Sequence, residues 1–224
     1  MPRQFSLLVF DWDGTLMDSA GAISSSLRAA CADMGLEVPS DESARYVIGL
    51  GLDDALAHVL PDLPRNAYPA LLERYRYHFL KQDGGTTLFQ GAHETLAALR
   101  EQGFLLAVAT GKSRRGLDRA LDASNSRQYF HATRCADESF SKPNPTMLLW
   151  LLDELQVPSE RTLMIGDTSH DMEMAAAAQV PRLGVSYGAH PRGNLLKHAP
   201  VACVDTFDEL HRLFLVLCPI IDTR

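Results

Sequence analysis

Positive charge is scarce in this chain. Its 224 residues carry 21 lysines and arginines against 28 aspartates and glutamates, a formal net charge of −7. Only Lys81, Lys112, Lys142 and Lys197 are lysines. General nucleic-acid binding normally needs a basic face, so no nucleic-acid partner is expected. Long apolar runs are lacking too: those near 104–109 and 213–221 are far too short to span a bilayer, so no membrane partner is expected. The opening MPRQFSLLVF has neither the apolar core nor the small-residue cleavage site of a secretory signal, and a cytoplasmic protein is expected. Cysteine is sparse. Cys31, Cys135, Cys203 and Cys218 are scattered without CxxC or zinc-type spacing, which favours reduced, mostly buried thiols. No internal repeat or low-complexity segment is present.

The hydrophobic share of 46% and charged share of 22% are those of an ordinary globular protein. Short apolar runs alternate with amphipathic stretches. LLVFDW (7–12), FLLAVAT (104–110), TLMIGD (162–167) and PRLGVSY (181–187) are apolar nearly throughout, as strands covered on both faces are. FHATRC (130–135) and ACVDT (202–206) are weaker strand candidates. Between them, 94–102 is a helical stretch stopped at Gly103, and 145–155 is a helix with Asn144 as N-cap and Pro145 in its first turn. This alternation predicts an α/β fold with a doubly wound parallel sheet. One interval breaks the rhythm. From about Met17 to Gly85 only helical patterns occur (22–35, 52–60 and 69–82), which predicts a small helical domain inserted after the first strand. Residues 1–16 and 86–224 would form the core and 17–85 the insert, leaving through the turn-rich 81–87. The apolar segment 207–221 would cover the core's edge or a partner, so monomer and homodimer both stay open.

In such a sheet, ligands bind at the carboxyl ends of strands near a topological switch point. The polar residues gather there: Asp11 and Asp13, then Thr110 and Gly111, then Lys142 between Ser141 and Pro143, then Asp167 and Asp171. Asp-x-Asp-Gly-Thr occurs by chance about once per 10⁵ positions at average residue usage. A calcium loop would need a third ligand before the glycine and a helix in front, whereas an apolar run stands there. If the extended conformation persists through Trp12, Asp11 and Asp13 face one crevice and repel, raising one pKa unless a cation intervenes. A divalent metal shared with Asp167 would resolve this. Hard oxygen donors without His or Cys point to Mg²⁺.

In these residues the chain resembles the haloacid dehalogenase superfamily, and within it the phosphoglycolate-phosphatase-like branch. Four motifs match in order: DWDGT (11–15), VATG (108–111), SKPNP (141–145) and GDTSHD (166–171). The resemblance implies a Rossmann-like core with a helical cap and a phosphatase working through an aspartyl-phosphate. Asp11 would be the nucleophile. Asp13 would lend its backbone carbonyl to Mg²⁺, keep its side chain free, and carry the proton. Thr110 and the N–H groups of Trp12, Asp13 and Gly111 would bind the phosphoryl group, and Lys142 would pair with it and with Asp11. Asp167 would ligate Mg²⁺. Asp171 would be a second ligand or orient a metal-bound water, with the latter preferred. The second motif reads Thr110–Gly111 where the branch often has Thr-Asn.

Substrate choice would fall to the cap. Gly49 and Gly51 flank Leu50 before a helix start, a turn able to approach an anion closely. Arg45 could read a carboxylate or second phosphate there, but an exposed structural arginine is the preferred reading. Lys112, Arg114 and Arg115 look like an exposed helix start, His170 like a polar neighbour of the fourth motif, and His190 like a loop residue that could border the site. Related phosphonate hydrolases need an early cap lysine, and Lys81 stands at the exit. Related phosphomutases need a cap histidine near the first motif, and the first in this interval is His58. A small phosphate monoester, phosphoglycolate-like, is therefore the expected substrate. Pyrophosphate, a phosphosugar and a non-catalytic binding role are the alternatives.

Overall fold

A computed structural model describes residues 4–83 and 86–217. Six strands form one parallel sheet: β1 (Leu7–Phe10), β2 (Leu105–Thr110), β3 (Ala132–Cys135), β4 (Thr162–Gly166), β5 (Arg182–Val185) and β6 (Ala202–Val204). Their order is β3-β2-β1-β4-β5-β6, so the chain winds outward from β1 in both directions. All six expected strands exist, the two weak candidates among them. The switch point lies between β1 and β4, which pair in register from Leu7 with Thr162 to Phe10 with Ile165.

Residues 17–83, after β1, contain four α-helices: α1 (Ala20–Asp33), α2 (Asp41–Tyr46), α3 (Leu52–Val59) and α4 (Tyr68–Asp83). They share a hydrophobic cluster of their own around Leu27, Ala44, Val47, Leu56 and Leu71. Three of them match the expected patterns. The six residues of α2 are too few to show a period, and its start is fixed by Ser40, whose hydroxyl accepts from the N–H of Ser43. The chain enters and leaves this insert side by side. Asp18 N–H donates to Thr87 O and Phe89 N–H to Leu16 O, both at 2.9 Å. Of the expected exit 81–87, residues 84–85 lie outside the described residues.

The remaining helices are α5 (Ala92–Glu101), α6 (Arg114–Ala123), α7 (Thr146–Leu155), α8 (Ser169–Ala177), α9 (Arg192–Leu196) and α10 (Phe207–Leu217). Alternation along β1 sends Leu8 and Phe10 into one core layer and Leu7 and Val9 into the other. The first layer contains Leu96 of α5, Leu117 of α6 and Leu210 of α10; the second contains Leu148 of α7 and Met174 of α8. Both faces are therefore covered, which is why β1 is apolar at every position. Gly103, at φ +79°, ends the α5 turn as expected. Helix α7 begins one residue later than expected, with Pro145 at the N-cap; Asn144 Oδ1 still accepts from Thr146 N–H at 3.0 Å. Cys31 and Cys135 are buried free thiols, Cys203 is half-buried and free, and Cys218 and the tail of 207–221 lie outside the described residues. Among the described residues no helix is long and apolar enough to cross a membrane.

Candidate active site

Asp11 follows the last residue of β1. Its N–H still donates to Ile165 O at 2.9 Å, so the pairing with β4 runs one residue past the strand. The chain then turns back on itself: Leu16 and Met17 N–H both reach Trp12 O, at 3.0 and 2.9 Å. The turn requires Gly14, which sits at φ +80° and where a Cβ would overlap the Asp167 carboxylate. The N–H groups of Trp12 and Asp13 donate to no backbone carbonyl among the described residues. The Trp12 indole itself lies in the core, edge-on to Phe130.

Three buried carboxylates meet at the carboxyl ends of β1 and β4. Asp11, Asp167 and Asp171 each offer an oxygen within 4.8 Å of the others. Lys142 enters from the segment before α7, fully buried, with Nζ 2.7 Å from Asp11 Oδ1 and 2.6 Å from Asp171 Oδ1. Lys142 thus ion-pairs with Asp11 Oδ1, and Asp11 Oδ2 has no partner among the described residues. Asp167 is better satisfied: Thr15 Oγ1 donates to Oδ1 at 2.8 Å and Ala189 N–H to Oδ2 at 2.7 Å. Asp171 Oδ2 accepts from Thr168 N–H and Oγ1, closing a capping box at the start of α8.

One cation among three buried acids leaves an excess of negative charge. Burial pushes the Asp11 carboxyl well above its usual range; Lys142 opposes this, while Asp171 and Asp167 add to it. Burial, then the Asp171 charge, raises Asp167 to about 7. Burial alone would lower Lys142, but Asp11 and Asp171 outweigh it and hold the ammonium above its ordinary value. An all-oxygen donor set, a surplus of charge and an Asp11 Oδ2 without a partner fit Mg²⁺.

Asp13 lies apart from this trio and its side chain is not free. Ser19 Oγ donates to its Oδ1 at 2.6 Å, and Lys112 Nζ lies 2.9 Å from the same atom. Lys112 is therefore not part of an exposed helix start. Nor is Arg114, whose guanidinium donates to Glu138 and Thr133 between α6 and β3. Arg115 is exposed as expected. Thr110 is buried at the end of β2, its Oγ1 accepting from Lys112 N–H at 3.1 Å.

The α2–α3 loop closes over these groups. Gly51 N–H donates to Ser141 Oγ at 2.7 Å, and Gly49, at φ +92°, packs on Thr168. Gly111 lies so close beneath that a Cβ there would stand 2.5 Å from the carbonyl oxygens of Gly49 and Leu50. His170 and His190 both reach Tyr46 O with Nε2, at 2.8 and 2.9 Å, tying α8 and the 186–191 loop to the end of α2. Burial lowers the pKa of both rings. Arg45 Nε donates to Asp41 Oδ2 at 2.8 Å along its own helix. Arg76, Arg115 and Arg119, not Arg45, line the cavity that opens beside Gly111.

The sequence model of the haloacid dehalogenase-like hydrolases matches residues 8–185. The chain belongs to that family. A protein of Dickeya dadantii described as "Probable phosphatase IndB" is 34% identical over 209 residues, 91% of each chain. The phosphoglycolate phosphatase of Agrobacterium fabrum is 32% identical over 188 residues, 81% of each chain. The crystal structure of a predicted phosphatase from Clostridium acetobutylicum superposes with a TM-score of 0.82 at 26% identity, covering 95% of this chain and 99% of that one. Such relatives place this haloacid dehalogenase-like hydrolase in the phosphoglycolate-phosphatase-like branch. Three polar neighbours escaped the sequence reading: Thr15 on Asp167, and Ser19 and Lys112 on Asp13. The signal for Thr15 was its place in DWDGT; Lys112 had none, since its contact with Asp13 joins distant segments.

Proposed function

We propose that this haloacid dehalogenase-type phosphatase is Mg²⁺-dependent and hydrolyses a small phosphorylated metabolite through an aspartyl-phosphate on Asp11. The observation that carries the reading is Asp11 itself: a buried carboxylate at the sheet's switch point, with Oδ1 ion-paired to a buried lysine and Oδ2 without a partner among the described residues. Lys142 holds the carboxylate in place and leaves one oxygen open, as a nucleophile requires. An Asp11 oxygen bonds to phosphorus as the bond to the leaving oxygen breaks, and Asp13 gives that oxygen a proton. Asp13 then takes a proton from the water that attacks the aspartyl-phosphate, which releases inorganic phosphate and regenerates Asp11. Thr110 and the N–H groups of Trp12, Asp13 and Gly111 hold the phosphoryl oxygens. Lys142 faces the charge that gathers in the transition state.

Asp11, Asp167 and the Asp13 carbonyl would hold Mg²⁺, with Asp171 behind them fixing Lys142. When bound, the ion supplies the positive charge that three buried acids and a phosphoryl group demand. Residues 17–85 act as the cap, and the Gly49–Gly51 turn closes on the site. Phosphoglycolate, the substrate in the names of several relatives, makes an anionic organic monoester the first class to test. The decisive experiment is phosphate release from a broad monoester panel with and without Mg²⁺. Wild type is expected to turn over at least one ester only with the metal, and Asp11→Asn none. No Mg²⁺-dependent release from any ester would sink the proposal.

A further inference from the structure

Beside the phosphate cradle lies a cavity of ≈ 370 Å³. It opens at Asp13, Gly111 and Lys112 and runs between the insert helices on one side and α6 on the other. The insert wall is apolar: Leu27, Val47, Leu56, Leu72 and Phe79 come from α1, the α2–α3 loop, α3 and α4. The charged groups are nearly all of one sign. Arg76 arrives from α4 and Arg115 and Arg119 from α6, while Asp13 is the sole acid among the described lining residues. Arg76 and Arg115 form no ion pair among the described residues. In a chain of net charge −7, cations gathered from two elements onto one cavity create a local anion site.

The two-carbon body of glycolate has almost no apolar surface to set against this wall. Cavities of about 300 Å³ and more take drug-sized ligands and bury most of their surface. A larger cavity, ≈ 470 Å³, also touches Trp12, Asp13 and Lys112 but runs off along residues 86–94; Phe79 is its sole lining residue from the insert helices and it does not reach Gly111. Both cavities therefore meet the cradle at Asp13, and the first alone of the two adds Gly111, the α2–α3 loop and the apolar insert wall.

We infer that the substrate of this enzyme is a phosphate monoester with a bulky apolar or aromatic body and a second anionic group. The apolar wall of the insert takes the body, and Arg76 and Arg115 take the second charge. Phosphoglycolate is then a poor substrate. The inference rests on the phosphatase reading above and narrows its substrate class.

Hydrolysis of 2-phosphoglycolate, 1-naphthyl phosphate and a carboxylated naphthyl phosphate tests it. The naphthyl ester should exceed phosphoglycolate in kcat/KM by about 10-fold or more, since one methylene alone is worth about that in an apolar pocket. The carboxylate should add about 10-fold again, a typical yield of a charged hydrogen bond, and Arg76→Gln with Arg115→Gln should erase that added factor. Phosphoglycolate as the best ester, or arginine variants that slow all three esters alike, would overturn the inference. Calorimetric binding of the matching phosphonates separates it from the phosphatase reading. Carboxynaphthyl methylphosphonate should bind more tightly than 3-phosphonopropionate to wild type, and less so to the double variant. Equal or weaker binding overturns the inference even if phosphate is released. Intact selective binding without any phosphate release would count against the phosphatase reading alone.

Discussion

The Nζ of Lys112 lies 2.9 Å from Oδ1 of Asp13, and both side chains are largely buried. Lys112 stands two residues past the end of β2 and Asp13 in the turn after β1, so the pair fastens together two strand ends of the proposed phosphate cradle. With Ser19 on the same oxygen, the carboxylate is fixed in one orientation. The proton-carrying role proposed for Asp13 would thus fall to a group that has lost its rotational freedom before substrate arrives.

Lys112→Met should therefore lower kcat/KM by about 10- to 100-fold, the value of one charged hydrogen bond. Asp13→Asn should cost about 10² to 10⁴, the usual range of a general acid–base group. Because Lys112 acts through Asp13, the double variant should be little worse than Asp13→Asn. Losses that simply multiply would show that Lys112 works on its own.

Asp13 also predicts a kinetic signature. An aryl phosphate with an acidic phenol leaves without needing a proton, so Asp13→Asn should still form the aspartyl-phosphate while failing to activate water. Rapid mixing should show a burst of phenol approaching one per enzyme, followed by slow turnover. Absence of a burst, with phosphate and phenol released together, would place the Asp13 proton in the first step only.

Gly111 predicts how closely the α2–α3 loop must approach. A Cβ there would stand 2.5 Å from Gly49 O and Leu50 O, both backbone atoms that cannot swing aside. Gly111→Ala should displace the loop and lower kcat/KM by about 10-fold or more, as small misplacements near reacting groups do. Limited proteolysis should cut the 47–51 segment faster in the variant. Wild-type kinetics in Gly111→Ala would mean that the loop's closed approach is not needed for turnover.

Much of the fold and part of the site were legible because structure and chemistry share short segments. In LLVFDWD, LLAVATG and TLMIGD, a strand covered on both faces runs straight into the polar residue it positions. What stayed hidden needed groups from distant segments to meet. Lys112 in GKSRRG looks like a solvated helix start, since nothing local shows that its ammonium folds back onto Asp13. Arg45 precedes two glycines, as an anion-reading residue would, yet Asp41 one turn earlier pairs with it. The arginines that do line the cavity lie on α4 and α6, where amphipathic patterning marks only an outward face.

The three buried acids predict an unusual coupling of stability, pH and metal. An unfolded Asp titrates near ~3.9. In the fold, burial and then the charge of Asp171 raise Asp167 to about 7, and burial raises Asp11 in the same direction. A carboxyl whose folded pKa is raised contributes stability that is complete below its unfolded value and is lost as pH climbs through the folded one. Metal-free protein should thus lose the Asp167 contribution progressively between about pH 4 and about pH 7. The proposed Mg²⁺ would bind the ionised carboxylates, so its stabilising effect should be small at about pH 5 and larger at about pH 8. Thermal melts with and without Mg²⁺ at both pH values measure this directly. Asp167→Asn should make the metal-free pH slope shallower and shrink the Mg²⁺ gain together, because the same carboxyl contributes to both. A Mg²⁺ gain equal at the two pH values, or unchanged in Asp167→Asn, would show that the ion is held elsewhere.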